Sequence, residues 1–435
     1  MLSFVEGRMV VGCVPCHARR MDEQHPHEVD LEITGIAHGG VSVARLDGRV
    51  VFVTDTLPGE RVRARLSDTS KRSFWRADTV EVIEASPHRT AHVWAEAGID
   101  RDPSERAGGA EFGHIALTHQ RALKAEVLTD SLARFAGLRR DVEVLGVEDD
   151  DATDGTGWRT RVRAHVDADG VVGPFASRSH RVIPVAGYPL AVPAAAALIP
   201  SRLAPGTAEW VDVVAPSAGE PVVLTGSGRT PHGGAGIVER VGDREFRLDA
   251  SGFWQVHRNA AAVLSSAVAS AVASDGRFDP AAANHDLYGG VGLLAAALAG
   301  VGGASTRVTS VESSATATEF ASENLADWIG ARAETARVDR YLDGLARTAS
   351  PRERERLRAA TIVLDPPRQG AGAAVVDRLL ELRPQTLVYV ACDPVALSRD
   401  LGRLLAGGYE LGGLTGYDLF PHTHHVEAVA VLHRG

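Results

Sequence analysis

The feature that most constrains this chain is the run of alternating strands and helices that begins at about residue 246. ANHDLYGG, a helical VGLLAAALAG, RVTSVES, a helical SATATEFASENLADWIG, TIVLDPP, a helical AAVVDRLLEL, TLVYVAC and a helical ALSRDLGRLLAGG follow one another before two last strands that end in HHVEAVAVLHR. Such β/α alternation folds as a doubly wound sheet with helices on both faces, and ligands bind at the C-terminal ends of its strands. Chemistry is therefore to be sought where each apolar run stops.

With 435 residues, 44% of them hydrophobic, the chain has length and apolar content for two to three domains. No run approaches the roughly 18 apolar residues that span a bilayer, and the N-terminus lacks the apolar core of a secretory signal, so no membrane partner and a cytoplasmic location are expected. Three cysteines argue against a disulfide framework. Cys13 and Cys16 form a CxxC, half of a tetrahedral metal site. Residues 1–28 read as a disordered extension, with Met9 or Met21 as alternative starts.

The net charge of −10 does not by itself suggest nucleic acid, but its distribution is uneven. Residues 29–88 hold short β runs punctuated by turns such as LDG and LPGE, the pattern of a small OB-type barrel. Its RVRARLSDTSKRSFWR segment interleaves Arg61, Arg63, Arg72 and other basic residues with Phe74 and Trp75, a composition suited to single-stranded nucleic acid. Residues 89–245 read as a central mixed α/β region. A helix is expected over 118–137, capped by Thr118 and ended by Gly137, and WRTRVRAHV places Arg159, Arg161 and Arg163 on one face of a strand. The glycine-rich loop at 225–237 suggests no function.

In the C-terminal part, HDLYGGVG sets a glycine-rich turn between a strand and a helix, where backbone N–H groups approach a nucleoside cofactor closely. The next strand ends in Glu312, a carboxylate placed to accept two ribose hydroxyls. A GxGxxG is absent, which favours S-adenosylmethionine (SAM) over a dinucleotide. LDPP then holds Asp365 in a stiff loop, because two prolines fix an extended backbone. Cys392 follows at the end of the next strand. Alone it reads as a small buried hydrophobe; before Asp393 and Pro394, at the start of a helix, its thiolate gains from the helix dipole. Glu427 stands at the mouth of the closing strand, beside His422, His424 and His425, whose spacing is not that of a zinc enzyme. No metal is expected.

In this order, DLYGGVG, VESS, LDPPRQG, VYVACDPVALSRDL and DLFPHTHHVE resemble the SAM-dependent uracil-5 RNA methyltransferase family, and FRLDASGFWQVHRNAA is similar to the segment ahead of its SAM domain. The resemblance runs from about 29 to 435. It implies a Rossmann-like SAM methyltransferase domain over 246–435, a TRAM-type RNA-binding barrel and a central RNA-binding domain. By resemblance Cys392 is the nucleophile and Glu427 the base, and Gln255, Tyr288, Glu312 and Asp365 match SAM-contacting positions, with Asp339 beside the adenine. Arg61, Arg63, Arg72, Trp75, Arg159, Arg161 and Arg163 are the expected RNA contacts. Leu293 stands where some members have a polar residue, and Arg399 and Asp400 read equally as site residues or as a helix-surface ion pair. Several members bind an iron-sulfur cluster through cysteines after the barrel; here Ala107 and Ala110 stand in those places, so no cluster is expected. His257, Arg258 and Asn259 follow Gln255 in a spacing that departs from the family's. The implied product is 5-methyluridine in structured RNA, ribosomal in preference to transfer RNA, made by a monomer. A silent RNA-binding or assembly factor on this fold and a 5-methylcytosine RNA methyltransferase are the alternatives; the latter typically carries a Pro-Cys dipeptide, whereas Ala391 precedes Cys392 here.

Overall fold

A computed structural model describes residues 28–228 and 234–435. The 1–28 extension up to residue 27, Cys13 and Cys16 with it, and residues 229–233 of the 225–237 loop lie outside the described residues.

Strands β1 (Glu28–Ala37), β2 (Val41–Leu46), β3 (Arg49–Thr54), β4 (Arg61–Asp68) and β5 (Phe74–Glu84) form a closed barrel in the order β1-β2-β3-β5-β4. Alternation along the strands sends Leu31, Ile33, Ala44, Val51, Val53, Val62 and Ala64 inward, each almost fully buried. Asp47 and Gly48 both take positive φ, 48° and 78°, in the two-residue loop that pairs Leu46 with Arg49, the turn whose twist matches flanking strands. Two buried ion pairs fasten the barrel to the following segment: Arg89 Nε to Glu60 Oε1 at 2.5 Å and Arg106 Nη1 to Asp55 Oδ2 at 2.7 Å.

The central region contains α1 (Leu117–Ser131), β6 (Val144–Leu145), α2 (Glu148–Ala152), β7 (Arg161–Val166), β8 (Val172–Gly173), α3 (Pro193–Ala196), β9 (Trp210–Val214), β10 (Val222–Gly226), β11 (Gly236–Val241) and β12 (Arg244–Asp249). Strands β10-β9-β7-β8 make one sheet and β11-β12 a hairpin. The expected Thr118 cap is not formed: the N-cap position belongs to Ala116 and has no side-chain hydrogen bond. After α1 a widened turn over Leu132–Ala136 ends at Gly137 with φ 66°, as the glycine suggested.

The remaining elements are α4 (Ala260–Asp275), β13 (Asn284–Leu287), α5 (Leu293–Gly302), β14 (Val308–Glu312), α6 (Ala315–Asn324), β15 (Ala331–Thr335), α7 (Val338–Thr348), α8 (Pro351–Arg358), β16 (Thr361–Leu364), α9 (Gly372–Leu382), β17 (Thr386–Ala391), α10 (Pro394–Ala406), β18 (Tyr409–Tyr417) and β19 (Glu427–Arg434). They build an eight-stranded sheet in the order β15-β14-β13-β16-β17-β19-β18-β6. Both faces are covered. Ile362, Leu364, Leu387 and Tyr389 pack with α1, α7, α9 and α10, while Val363, Val388 and Val390 pack with α4 and α5. A strand buried on both sides reads as an unbroken apolar run, which is why TLVYVA has no polar alternation. The central region is not separate from this sheet: β6 pairs parallel with β18 along its edge, and the 245/246 division falls inside β12.

Candidate active site

The sheet delivers its chemistry at adjacent strand ends. After β13 the chain turns through Tyr288 (φ 64°), Gly290 (φ 53°) and Gly292 (φ 90°) into α5. Gly289 has no room for a side chain, since a Cβ there would lie 2.1 Å from Ser310 Oγ. Glu312, at the end of β14, accepts hydrogen bonds from the Ser314 N–H (2.8 Å) and the Gly290 N–H (3.3 Å), so one carboxylate ties together two turns.

After β16, Asp365 donates its N–H to Leu287 O at 3.2 Å, and Pro366, Pro367 and Arg368 lead to Gly370. Asp400 on α10 holds the far side of this loop. Its Oδ2 accepts from the N–H groups of Ala371 (2.8 Å) and Gly372 (3.2 Å) and from the Tyr389 hydroxyl (2.7 Å). Asp400 is thus a buried anchor rather than half of a surface ion pair, and Arg399 instead lies over the Phe135 ring at 5.4 Å.

Cys392 follows β17, with Asp393 as N-cap of α10, its Oδ1 accepting from the Ala396 N–H at 2.8 Å. The last antiparallel pair of β17 and β19 is Ala391 with Ala428, which leaves Cys392 and Glu427 at adjoining strand ends, where the Glu427 charge acts on the thiol. Gln255, Tyr288, Glu312, Asp339, Asp365, Cys392 and Glu427, drawn from separate segments, all line one cleft of about 1130 Å³.

The electrostatics of this cleft differ from the sequence expectation. Burial, then the nearby Glu427 and Asp365 charges, push the Cys392 thiol up to about 12, with Arg368 opposing. Desolvation and the two carboxyl groups act on the thiol in the opposite direction to the one expected from the helix start. Burial raises Asp365 to about 7, and burial together with Asp365 raises Glu427 well above the ordinary carboxylate range, again against Arg368. Burial also depresses His425 to about 3, with His424 and Arg368 adding to it. Asp339 is held down by hydrogen bonds from Arg337 at 3.0 and 3.1 Å.

Arg368, whose charge acts on all of Cys392, Glu427 and His425, was quoted within LDPPRQG but given no role; its place directly after the two prolines was the signal. Phe253, Phe420 and His425 also line the cleft and were not singled out as site residues. His257, in the segment with the unusual spacing, is buried against Asp150 at 2.8 Å and so serves packing.

The expected RNA contacts are dispersed. Arg61 pairs with Asp30 and Glu84, both at 3.5 Å, and Arg63 with Asp30 (3.1 Å) and Glu81 (2.7 Å). Arg72 is exposed in the turn between β4 and β5, and Trp75 carries the Arg49 guanidinium 4.2 Å from its ring. The three arginines around β7 do not make one basic face. Arg159 lines the same cleft as Cys392, Arg161 donates to the carbonyls of Ala250 (3.2 Å) and Gly252 (2.6 Å), and Arg163 pairs with Asp212 at 2.5 Å over the Trp210 ring. Ala107 and Ala110, in the segment after the barrel, are buried and pack with Trp94, Trp158 and Ile183. Among the described residues no group of three or more His, Cys, Asp or Glu is placed to hold a metal, and no helix is long and apolar enough to cross a membrane.

A family model described as tRNA (uracil-5-)-methyltransferase matches residues 282–435. An uncharacterized RNA methyltransferase of Streptomyces avermitilis is 37% identical over 93% of this chain and 98% of its own length. One of Bifidobacterium longum is 32% identical over 97% of this chain and all of its own. Among solved structures, the Pyrococcus abyssi tRNA (uracil-54, C5)-methyltransferase in complex with S-adenosyl-L-homocysteine superposes with a TM-score of 0.65 at 20% identity, covering 92% of this chain and 100% of that one, which shows a common fold. With a SAM-dependent methyltransferase fold, and relatives of this identity over nearly their whole length, the chain belongs to the uracil-5 RNA methyltransferase family, and it is an RNA methyltransferase.

Proposed function

We propose that this enzyme methylates C5 of a uridine in structured RNA through a covalent bond between Cys392 and C6 of the base. The observation that carries this reading is that Cys392 and Glu427, at adjoining ends of paired strands, line one cleft. Uracil C5 is too weak a nucleophile to take a methyl group directly, so a nucleophile must first raise its electron density. Cys392 adds to C6 as a thiolate: the S–C6 bond forms and the C5=C6 electrons move toward O4 as an enolate. Arg368, a cation in the cleft whose charge acts on both Cys392 and Glu427, is suited to stabilise this developing charge. Once C5 has been methylated, Glu427 as carboxylate takes the C5 proton, the C5=C6 bond re-forms and the S–C6 bond breaks.

The residues present fit SAM. Glu312 suits the ribose hydroxyls, Tyr288 and the Gly289–Gly292 turn lie against the same cleft, and Asp365 offers a buried carboxylate to a sulfonium. Gln255 and Asp339 line the same cleft, and Asp339 would lie beside the adenine. When bound, SAM supplies an electrophilic methyl carbon and leaves as the neutral sulfide. Burial pushes Cys392, Asp365 and Glu427 up in the free cleft, with neighbouring carboxyl groups adding to it at Cys392 and Glu427, so a cation placed among them favours the ionised form of each.

Cys392→Ala is expected to bind RNA and SAM yet transfer no methyl, whereas Glu427→Gln accumulates an enzyme–RNA adduct that survives a denaturing gel. Full turnover by Cys392→Ala would remove the covalent mechanism. The family resemblance puts ribosomal before transfer RNA, whereas both the matching family's description and the Pyrococcus enzyme's name specify tRNA. Mapping 5-methyluridine in ribosomal and transfer RNA from cells with and without the protein identifies the RNA; no loss in either would overturn the assignment.

A further inference from the structure

The barrel does more than stand beside the catalytic cleft. Its β1–β2 turn, Ala37-His38-Gly39-Gly40-Val41, reaches both loops that carry the proposed reacting groups. On one side His38 Nε2 lies 3.2 Å from Asp393 Oδ2, and Asp393 is bonded directly to Cys392 in sequence. On the other, Gly40 (φ 74°) backs onto His424, such that a Cβ on Gly40 would come within 2.8 Å of the His424 Cβ. His424, three residues before Glu427, in turn faces Glu111 at 3.4 Å.

Asp393 divides its two oxygens. Oδ1 caps α10 through the Ala396 N–H, which a side chain at that position does in many proteins without help from another domain. Oδ2 is left to His38, a residue more than 350 positions away in the chain. Helix capping accounts for the first contact and leaves the second unexplained.

We propose that the barrel turn belongs to the catalytic apparatus, with His38 a positioning residue that fixes the Cys392 loop through Asp393. This rests on the reading of Cys392 as the reacting group. A half-exposed histidine–carboxylate contact contributes little to global stability, but it removes one freedom of a loop whose sulfur must meet C6 within bonding reach, and small misplacements of a reacting atom cost rate steeply. The arrangement also links occupancy of the barrel by RNA to the geometry of the thiol.

The test is steady-state methyl transfer by the full-length chain, with RNA affinity from filter binding and SAM affinity from equilibrium dialysis. His38→Ala is expected to lower kcat about tenfold while both affinities stay within about twofold, since the side chain acts on a reacting group. His38→Gln, whose amide N–H can replace the imidazole donor, recovers most of the rate. Asp393→Asn keeps the helix cap and weakens the contact, and combined with His38→Ala it is expected to be no slower than the slower single variant. Wild-type kcat in His38→Ala, a loss confined to RNA affinity, or additive losses in the double variant would each overturn the proposal. The two readings fail separately: an active Cys392→Ala removes the nucleophile assignment, whereas an inactive Cys392→Ala beside an unaffected His38→Ala removes only the role of the barrel turn.

Discussion

Asp286 shows how a single buried carboxyl sets the pH behaviour of this fold. It is fully buried in β13, accepts one hydrogen bond from the Ala295 N–H at 2.9 Å through Oδ2, and has no partner on Oδ1. Burial, with Asp365 and Glu312 adding to it, raises its pKa to about 8. A folded-state pKa above the unfolded value near 3.8 means that this group favours the native state fully only below that unfolded value, and its contribution is lost as pH rises through about 8. Asp286→Asn, neutral at every pH, removes this loss. The two proteins are expected to melt at similar temperatures at about pH 4, and the variant's advantage to grow steadily from there, reaching several degrees over the parent at about pH 9. Parallel melting curves at both pH values would show that Asp286 does not ionise in this range. The same sign governs catalysis. Asp365, raised to about 7, and Glu427 must be ionised to act as carboxylates, so the rate is expected to rise with pH through the neutral range.

At the scale of elements, the loop that brings Glu427 into the cleft is held by a helix from the central region. Lys124 on α1 is fully buried, donating to Asp418 Oδ1 at 2.5 Å and to Phe420 O at 3.0 Å, while Gln120 one turn earlier accepts from the His422 N–H at 2.7 Å. Both contacts fix 418–422, the segment leading to β19. Lys124→Met leaves Asp418 buried without its main partner and is expected to destabilise by about 3–5 kcal/mol. The double variant Lys124→Met/Asp418→Leu should recover much of that loss, since an apolar pair carries no unpaired charge. Urea unfolding of the three proteins checks this, and a Lys124→Met midpoint equal to that of the parent would contradict it.

These anchors mark where sequence reading stops. The strand ends at Tyr288, Glu312, Asp365, Cys392 and Glu427 were legible because an apolar run broken by glycine, proline or an acid announces itself locally. Lys124 and Gln120 were not, because a polar residue on a helix looks solvent-exposed until its partners, 294 and 302 positions away, are known. The joining of β6 to the large sheet was hidden for a similar reason: two paired residues leave no periodicity. The helix start beside Cys392 is visible in sequence, whereas the burial and the two carboxyl groups that push its thiol the other way are a product of sheet order.

Across the whole molecule, a net charge of −10 must coexist with binding to a polyanion. The barrel's arginine ladder is already occupied from within. Arg61 and Arg63 share Asp30, and Arg65 contacts Glu28 at 3.3 Å and Asp102 at 2.9 Å, with Glu81 and Glu84 along the same face. On the reading that this face meets RNA phosphates, each acid competes with the ligand, and the arginines deliver less than their number suggests. Asp30 is the acid that two of the expected contacts share, so Asp30→Asn is the informative change. Exposed pairs of this kind contribute about 0–1 kcal/mol to stability, and folding should be almost unaffected. Releasing Arg61 and Arg63 should instead strengthen RNA binding severalfold at about 50 mM salt. It should also steepen the fall of log K with log salt by about 0.7–0.9 for each further phosphate neutralised. Arg72→Ala, which removes an exposed cation, should shift the slope the other way. Filter binding between about 50 and 200 mM salt reads both, and an Asp30→Asn protein with unchanged affinity and slope would place the phosphates on another face of the molecule.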